Sequence, residues 1–233
     1  MTKREVKQLI KEAVAAGRKT LLEYEAKALL SAWKIDVPAS MIVKVEDDLR
    51  SALKKVSPPY ILKVISPDIL HKSNVGGVIT DLKGAEDISA ALNEINRNIK
   101  KMAPHAKIEG FLIEEMAPKG VEVIIGGIND PQFGPAVMFG IGGVGVELLK
   151  DVTFRLAPIK RKEALEMMKE IKGYPLLTGY RGMKPIDIRE LADTIAKVSQ
   201  IISELDGVKE IEINPLIASE KGIIAVDARV VLK

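Results

Sequence analysis

Lys209-Glu210-Ile211-Glu212-Ile213-Asn214-Pro215-Leu216-Ile217-Ala218-Ser219-Glu220-Lys221-Gly222-Ile223-Ile224-Ala225-Val226-Asp227-Ala228-Arg229-Val230-Val231-Leu232 is the stretch that decides the fold. Its β-branched residues and period of two read as a hairpin, with arms at about 209–217 and 223–232. If Ser219 to Gly222 is a four-residue turn with 219 opposite 222, Asn214 faces Asp227 and Glu212 faces Arg229. Cross-strand neighbours have Cβ atoms roughly 5 Å apart. Two side-chain oxygens then converge on one point, an arrangement that suits Mg²⁺ and the phosphates it carries. Glu212 shares the face of Asn214. The plainer reading is an Asn before Pro in a turn and an exposed Asp. A bulge at Pro215 would shift the pairing by one.

Upstream of the hairpin the pattern alternates between the two periods. Thr2-Lys3-Arg4-Glu5 and Thr20-Leu21-Leu22-Glu23 read as capping boxes ahead of two helices. Strands are expected at 41–45, 60–65 and 78–82, with a short helix from Asp47 or Asp48 and a long one marked by Ile88, Ala91, Leu92, Ile95, Ile99 and Met102. From Ile108 to Leu149 the period is that of strands, about 108–117, 121–129, 135–141 and 144–149. A helix at about 161–172, an ordered loop from Tyr174 to Pro185 and a helix starting at Asp187 lead into the hairpin. Helices and strands mix without strict alternation, so the class is α+β in two lobes. The pattern changes near 104–110, which predicts lobes of 1–106 and 107–233.

Composition excludes several chemistries. The 233 residues include 35 Lys+Arg and 32 Asp+Glu, a net charge of +3. There is no cysteine, hence no disulfide framework, thiol nucleophile or thiolate metal site. The two histidines, His71 and His105, are too few for a His-rich metal centre, which leaves hard cations on oxygen ligands. Aromatics are 4%, and a charge of +3 is a poor footprint for nucleic acid. The longest uncharged run, Pro131 to Val146, has 16 residues with two prolines and five glycines, short of the roughly 20 apolar residues of a spanning helix. Met1-Thr2-Lys3-Arg4-Glu5 opens no signal-peptide pattern, so a cytoplasmic protein is expected.

Polar residues inside apolar runs mark where chemistry can sit. Lys63, in Tyr60-Ile61-Leu62-Lys63-Val64-Ile65, shares the face of Ile61 and Ile65. It either snorkels from an edge or meets an anion. The next segment, Ser66-Pro67-Asp68-Ile69-Leu70-His71-Lys72-Ser73-Asn74-Val75-Gly76-Gly77-Val78, is a loop in which Gly76-Gly77 permits close approach of backbone to a phosphate. His71 on that loop is a surface residue or a nucleophile. Glu114 and Glu115 lie in Phe111-Leu112-Ile113-Glu114-Glu115-Met116-Ala117, where buried carboxylates need partners: sugar hydroxyls or neighbouring lysines. Gly126 to Gly145 holds seven of the eighteen glycines. Gly140-Ile141-Gly142-Gly143-Val144-Gly145 is not a dinucleotide fingerprint, because no room remains for the helix that must follow it. A hairpin over a phosphoryl group and close sheet packing are equally good readings.

Leu22-Glu23-Tyr24-Glu25-Ala26-Lys27, Leu62-Lys63-Val64, Gly76-Gly77-Val78, Glu114, Glu122, Glu212-Ile213-Asn214-Pro215-Leu216 and Val226-Asp227-Ala228 occur in that order. Together they resemble the ATP-grasp part of acyl-CoA synthetases that make ADP and phosphate from ATP. The likeness is closest to the β subunits of archaeal ADP-forming acetate–CoA ligases, which are related to succinyl-CoA synthetase β subunits, and it covers nearly the whole chain. The resemblance implies an ATP-grasp fold with the nucleotide between two lobes. It implies that Lys63, Gly76, Gly77, Glu114, Glu115, Met116, Ala117 and Glu122 bind ATP or ADP, and that Asn214 and Asp227 hold Mg²⁺. It implies that His71, on a mobile loop, relays phosphate between a phosphohistidine of an α subunit and ADP.

Two departures from succinyl-CoA synthetase matter. Its glycine-rich loop is replaced by Ser66-Pro67-Asp68-Ile69-Leu70-His71, and no CoA-ligase-type domain is expected after Lys233. CoA and acyl sites are therefore expected on an α partner, in an α2β2 assembly by resemblance. The expected reaction is acyl-CoA + ADP + phosphate ⇌ carboxylate + CoA + ATP. A self-contained ATP-grasp carboxylate–amine ligase and a non-catalytic nucleotide-sensing subunit are the alternatives.

Overall fold

A computed structural model of the chain describes residues 1–44, 46–69, 71–143 and 150–233, and of residues 46 and 47 only the backbone. The chain folds as two compact units, one of Pro38–Ala117 and one of Met1–Val37 with Pro118–Lys233. The class is α+β, as expected.

Helix α1 (Lys3–Ala15) starts on the expected capping box. The Thr2 hydroxyl accepts the Glu5 N–H at 3.3 Å, and Glu5 Oε2 accepts the Thr2 N–H at 2.7 Å. The second box is displaced. Thr20 bridges Val231 and the Leu21 N–H donates to the Val230 carbonyl, so the chain is still extended there. Helix α2 (Glu23–Ala32) begins one residue after Leu22, and Glu25, not Glu23, accepts the Leu22 N–H at 2.8 Å. Glu23 instead pairs with Lys27 one turn on, at 2.9 Å, both side chains buried.

The unit Pro38–Ala117 holds β1 (Ser40–Val43), α3 (Glu46–Lys55), β2 (Tyr60–Ile65), β3 (Val78–Leu82), α4 (Ala85–Met102) and β4 (Gly110–Glu115). Its sheet has the order β1-β4-β2-β3 and is antiparallel throughout. The apolar stripe of α4 (Ile88, Ala91, Ile95, Ile99) buries against the sheet face bearing Leu62, Val64 and Ile113. Alternation turns Ile61, Lys63, Ile65, Leu112 and Glu114 to the opposite face, and all five are buried.

The other unit holds α1 and α2, then β5 (Val121–Asp130), β6 (Gly134–Ile141), β7 (Val152–Leu156), α5 (Arg161–Glu170), α6 (Tyr174–Thr178), α7 (Ile188–Glu204), β8 (Val208–Ser219), β9 (Gly222–Ala225) and β10 (Ala228–Leu232). The strand order is β10-β8-β5-β6-β7, with β9 also on β8. Asp187 caps α7 by accepting the Arg189 and Glu190 N–H groups at 3.0 and 2.9 Å. Leu191, Ile195, Val198 and Ile202 then pack with Val123, Ile125, Val137, Phe139, Ile211 and Ile213 in one core. Glu122, Gly126, Met138, Glu212 and Arg229 alternate to the other face of the sheet.

Three further expectations change. The boundary is not at 106/107: β4 lies between β1 and β2, so the first unit runs on to Ala117, and the opening helices join the second unit through residues 19–21 beside β10. Strand β7 was not expected, and the stretch Tyr174 to Pro185 begins with a short helix instead of being loop throughout. The strand expected at 144–149 lies outside the described residues. Among the described residues no helix is long and apolar enough to cross a membrane.

Candidate nucleotide and phosphoryl site

In the first unit the β2–β4 register sets Lys63 opposite Leu112 and Ile61 opposite Glu114, on one face. Lys63 and Glu114 are therefore diagonal neighbours. Lys63 Nζ lies 2.7 Å from Glu114 Oε2, with the side chains 6% and 0% exposed. Of the partners foreseen for this carboxylate, a neighbouring lysine is the one present. An ion pair this deep offsets two desolvation costs only when its geometry is close, as here.

The segment after β2 is fastened at both ends. Ser66 Oγ accepts the Asp68 N–H at 3.1 Å, and Asp68 Oδ2 accepts the Lys107 N–H at 2.8 Å. His71 is exposed and precedes a 3-10 turn, Lys72–Val75; its carbonyl accepts the Asn74 N–H at 3.2 Å. Gly76 closes the turn at φ +62°, a left-handed conformation that favours glycine. The Gly77 N–H returns to the Lys72 carbonyl at 2.8 Å, and the Gly77 carbonyl accepts the Val64 N–H at 2.9 Å, beside Lys63. A Cβ on Gly77 would sit 2.8 Å from Val64 Cγ1, which is why the residue is bare. On β4 and beyond, Glu115 is half-buried and Met116 is exposed. Their N–H groups donate to the Ala39 and Pro59 carbonyls, each at 2.9 Å.

In the second unit the hairpin has the expected register. Ser219 pairs with Gly222, Leu216 with Ala225 and Glu212 with Arg229, while the Asn214 N–H donates to the Asp227 carbonyl at 3.2 Å. The irregularity anticipated at Pro215 falls on the other side, where β8 slips by one against β5 between Val123 and Ile125. On the open face Asn214 Nδ2 donates to Glu212 Oε1 at 3.3 Å. Arg229 Nη2 donates to Glu210 and Glu212 at 2.6 and 3.0 Å. Asp227 Oδ1 accepts the Ala228 N–H at 2.8 Å.

Amide and carboxylate oxygens are the donors Mg²⁺ prefers, so the residues fit that ion. Among the described residues, the hairpin included, no group of three or more His, Cys, Asp or Glu gathers to hold a metal ion. Such a pair suits a cation that completes its shell with water and phosphate oxygens.

Glu122 is exposed on β5, against the glycine-rich return. The Gly142 N–H donates to the Glu122 carbonyl at 2.7 Å, and a Cβ on Gly142 would press on Glu122 backbone at 3.0 Å. A Cβ on Gly143 would lie 3.1 Å from Glu122 Oε2. Downstream, the Asp151 carboxylate accepts the Lys172 and Gly173 N–H groups at 2.8 and 2.7 Å. The anchors Asp68 and Asp151 carried no signal in the sequence, because their partners are backbone groups far along the chain. His105, the other histidine, is exposed.

Residues 12–232 match the model of the ATP-grasp domain family. The chain is 46% identical over 226 residues, covering 97% of each chain, to the β subunit of acetate–CoA ligase [ADP-forming] I from Pyrococcus furiosus. It superposes on the dinucleotide-forming acetyl-coenzyme A synthetase 1 of Ca. Korarchaeum cryptofilum, in complex with coenzyme A and Ca-AMPCP, with a TM-score of 0.95 and 46% identity, covering 97% of this chain and 99% of that one. A second structure of that enzyme holds coenzyme A and Mg-AMPPCP and has its phosphohistidine segment pointing towards the nucleotide-binding site. It matches with a TM-score of 0.86 and 43% identity, covering 98% and 100% of the two chains. The chain belongs to the ATP-grasp family, among the β subunits of ADP-forming acetate–CoA ligases.

Proposed function

We propose that the chain is the nucleotide-binding subunit of an ADP-forming acyl-CoA synthetase, catalysing with an α partner acyl-CoA + ADP + phosphate ⇌ carboxylate + CoA + ATP. The observation that carries this reading is an exposed histidine on a segment fastened at both ends, in a chain co-extensive with named β subunits. CoA and acyl recognition then belong to the α subunit, and an α2β2 assembly in the cytoplasm is part of the same reading.

Phosphoryl transfer asks for positioning and charge neutralisation more than for covalent chemistry. His71 supplies the one covalent step. Its imidazole nitrogen attacks the phosphorus of the partner's phosphohistidine, the new N–P bond forming as the old one breaks. A terminal oxygen of ADP then takes the phosphoryl group and frees His71. Lys63, held in place by Glu114, contributes positive charge toward the phosphates. Gly76 and Gly77, whose N–H groups close the turn after His71, let the backbone approach closely the phosphoryl group that His71 carries. Asn214 and Asp227 hold Mg²⁺, which neutralises phosphate charge when bound.

Glu115, half-buried, is the more accessible ribose acceptor, since Glu114 is committed to Lys63. The N–H groups of Glu115 and Met116 are engaged within the unit, so the adenine contacts of this strand fall to carbonyls and to Ala117. Glu122 is the remaining nucleotide-site carboxylate.

The test is mass spectrometry for acid-labile phosphate on His71 after incubation with Mg-ATP. Phosphate on His71, with His71→Ala abolishing net ATP formation while Mg-nucleotide still binds, is the expected result. Equal turnover by His71→Ala and wild type would sink the relay. Nucleotide binding with no phosphorylation would favour a sensing subunit.

A further inference from the structure

Asn98 stands on α4 between the buried Ile95 and Ile99 and is itself half-buried. Its backbone is thus fixed by the core of the unit. Its side chain reaches back 22 residues: Nδ2 donates to the Gly76 carbonyl at 3.2 Å. A second observation concerns the same atoms. A Cβ built on Gly76 would stand 2.6 Å from Asn98 Nδ2 and 3.1 Å from its Cγ. The missing side chain of Gly76 and the amide of Asn98 fill one space between them.

From Gly76 the linkage runs back to His71 through backbone alone. The Gly76 N–H donates to Ser73 at 3.1 Å, the Gly77 N–H to Lys72 at 2.8 Å, and the His71 carbonyl is held by Asn74 at 3.2 Å. A four-residue turn closed by three such bonds moves as one body. Where Asn98 puts Gly76, the carbonyl of His71 follows, while the imidazole stays exposed.

We propose that Asn98 is a positioning residue of the phosphoryl relay: by fixing Gly76 it sets the place from which His71 attacks and is attacked. The proposal rests on the reading of His71 as phosphate carrier. Asn98 touches no reacting atom, so its effect must appear in the rate at which His71 is phosphorylated and not in nucleotide affinity. Misplacing a reacting group by about 1 Å can cost on the order of a hundredfold.

The experiment uses the full chain with Mg-ATP and follows acid-labile phosphate on His71 over time in wild type, His71→Ala, Asn98→Asp and Asn98→Ala. Asn98→Asp keeps shape and loses the donor, facing the Gly76 carbonyl with a carboxylate oxygen. Asn98→Ala removes the bond without adding repulsion, and serves if the aspartate variant does not fold. Binding of Mg-ADP and the melting temperature are measured on each. The expected result is phosphorylation slowed by about tenfold or more with Mg-ADP affinity unchanged. Phosphorylation at the wild-type rate in a folded Asn98 variant overturns the proposal. So does a loss of rate that tracks an equal loss of Mg-ADP affinity, which marks a merely structural role. No phosphate on wild-type His71, or phosphate elsewhere that survives His71→Ala, removes the carrier reading itself and is told apart by those two samples alone.

Discussion

The C-terminal hairpin and the β2–β4 pair both bring charged residues together, by opposite means. In the hairpin the partners are close in sequence: Glu212 meets Arg229 around a single turn, and their side chains stay within reach of solvent. In β2–β4 the partners Lys63 and Glu114 come from distant segments and are sealed away, 6% and 0% exposed. The hairpin pair is set by the turn. The buried pair is set by the whole unit, since β4 must slot between β1 and β2 before the two charges can meet. Energetics should divide the same way, because a buried charge without its partner keeps its desolvation cost while an exposed one is rehydrated.

The largest effect that can break this comparison is Glu114→Ala. Taking the Glu114 carboxylate from beside the buried Lys63 should cost about 3–5 kcal/mol of unfolding free energy, read from urea denaturation. The double variant Lys63→Met with Glu114→Leu should recover most of that loss. The counterpart in the hairpin, Arg229→Ala, should cost under about 1 kcal/mol, because its ion pairs with Glu210 and Glu212 are a third exposed. Equal costs for Glu114→Ala and Arg229→Ala would mean that burial does not separate the two regions.

A smaller effect sharpens the contrast between local and distant constraint. Gly17 and Gly76 have similar positive φ, +73° and +62°. A Cβ on Gly17 would meet nothing within 4 Å, whereas one on Gly76 would meet the Asn98 amide at 2.6 Å. Gly17→Ala should therefore cost only the left-handed strain, about 1–2 kcal/mol. Gly76→Ala should cost that and more, by the displacement of Asn98. Chemical denaturation of the two variants compares them directly, and equal losses would show that Asn98 moves aside freely.

The same division explains what could be read from the chain. The hairpin register was legible because a four-residue turn fixes every later pair, and Thr2 with Glu5 was legible because a cap is local. The second cap was misplaced because residue 20 is held by Val231, more than two hundred positions away. Strand β7 was missed because its polarity is reversed. Phe154 and Leu156 are exposed, while the Thr153 hydroxyl donates to Glu170 at 2.7 Å and Arg155 pairs with the same carboxylate. Its polar residues satisfy one another on the helix side, so the usual inward apolar signal is absent. At the candidate site, the backbone register that sets Asn214 against Asp227 was legible. The commitment of Glu114 to Lys63 was not, because either a sugar or a lysine could answer a buried carboxylate.

The mildest prediction tests the hairpin at its tip. Glu190, in the first turn of α7, lies beneath Gly222, with a carboxylate oxygen 3.6 Å from where a Cβ of Gly222 would be. Burial raises the Glu190 pKa, and the neighbouring charges of Asp187 and Asp36 add to the rise; Lys197 and a bond from the Ile223 N–H oppose it. A carboxyl with a raised native pKa binds its proton more tightly folded than unfolded. Stability therefore falls as pH rises from the ordinary carboxylate value through the raised one, and the loss is complete above it. Glu190→Gln keeps an acceptor for Ile223 and cannot ionise, so it should lose this dependence. Its melting temperature should match wild type at pH 4 and exceed it slightly at pH 7. An advantage of the same size at both pH values would place the effect in packing and not in ionisation. A deficit at pH 7 would mean that the charged carboxylate holds the hairpin tip.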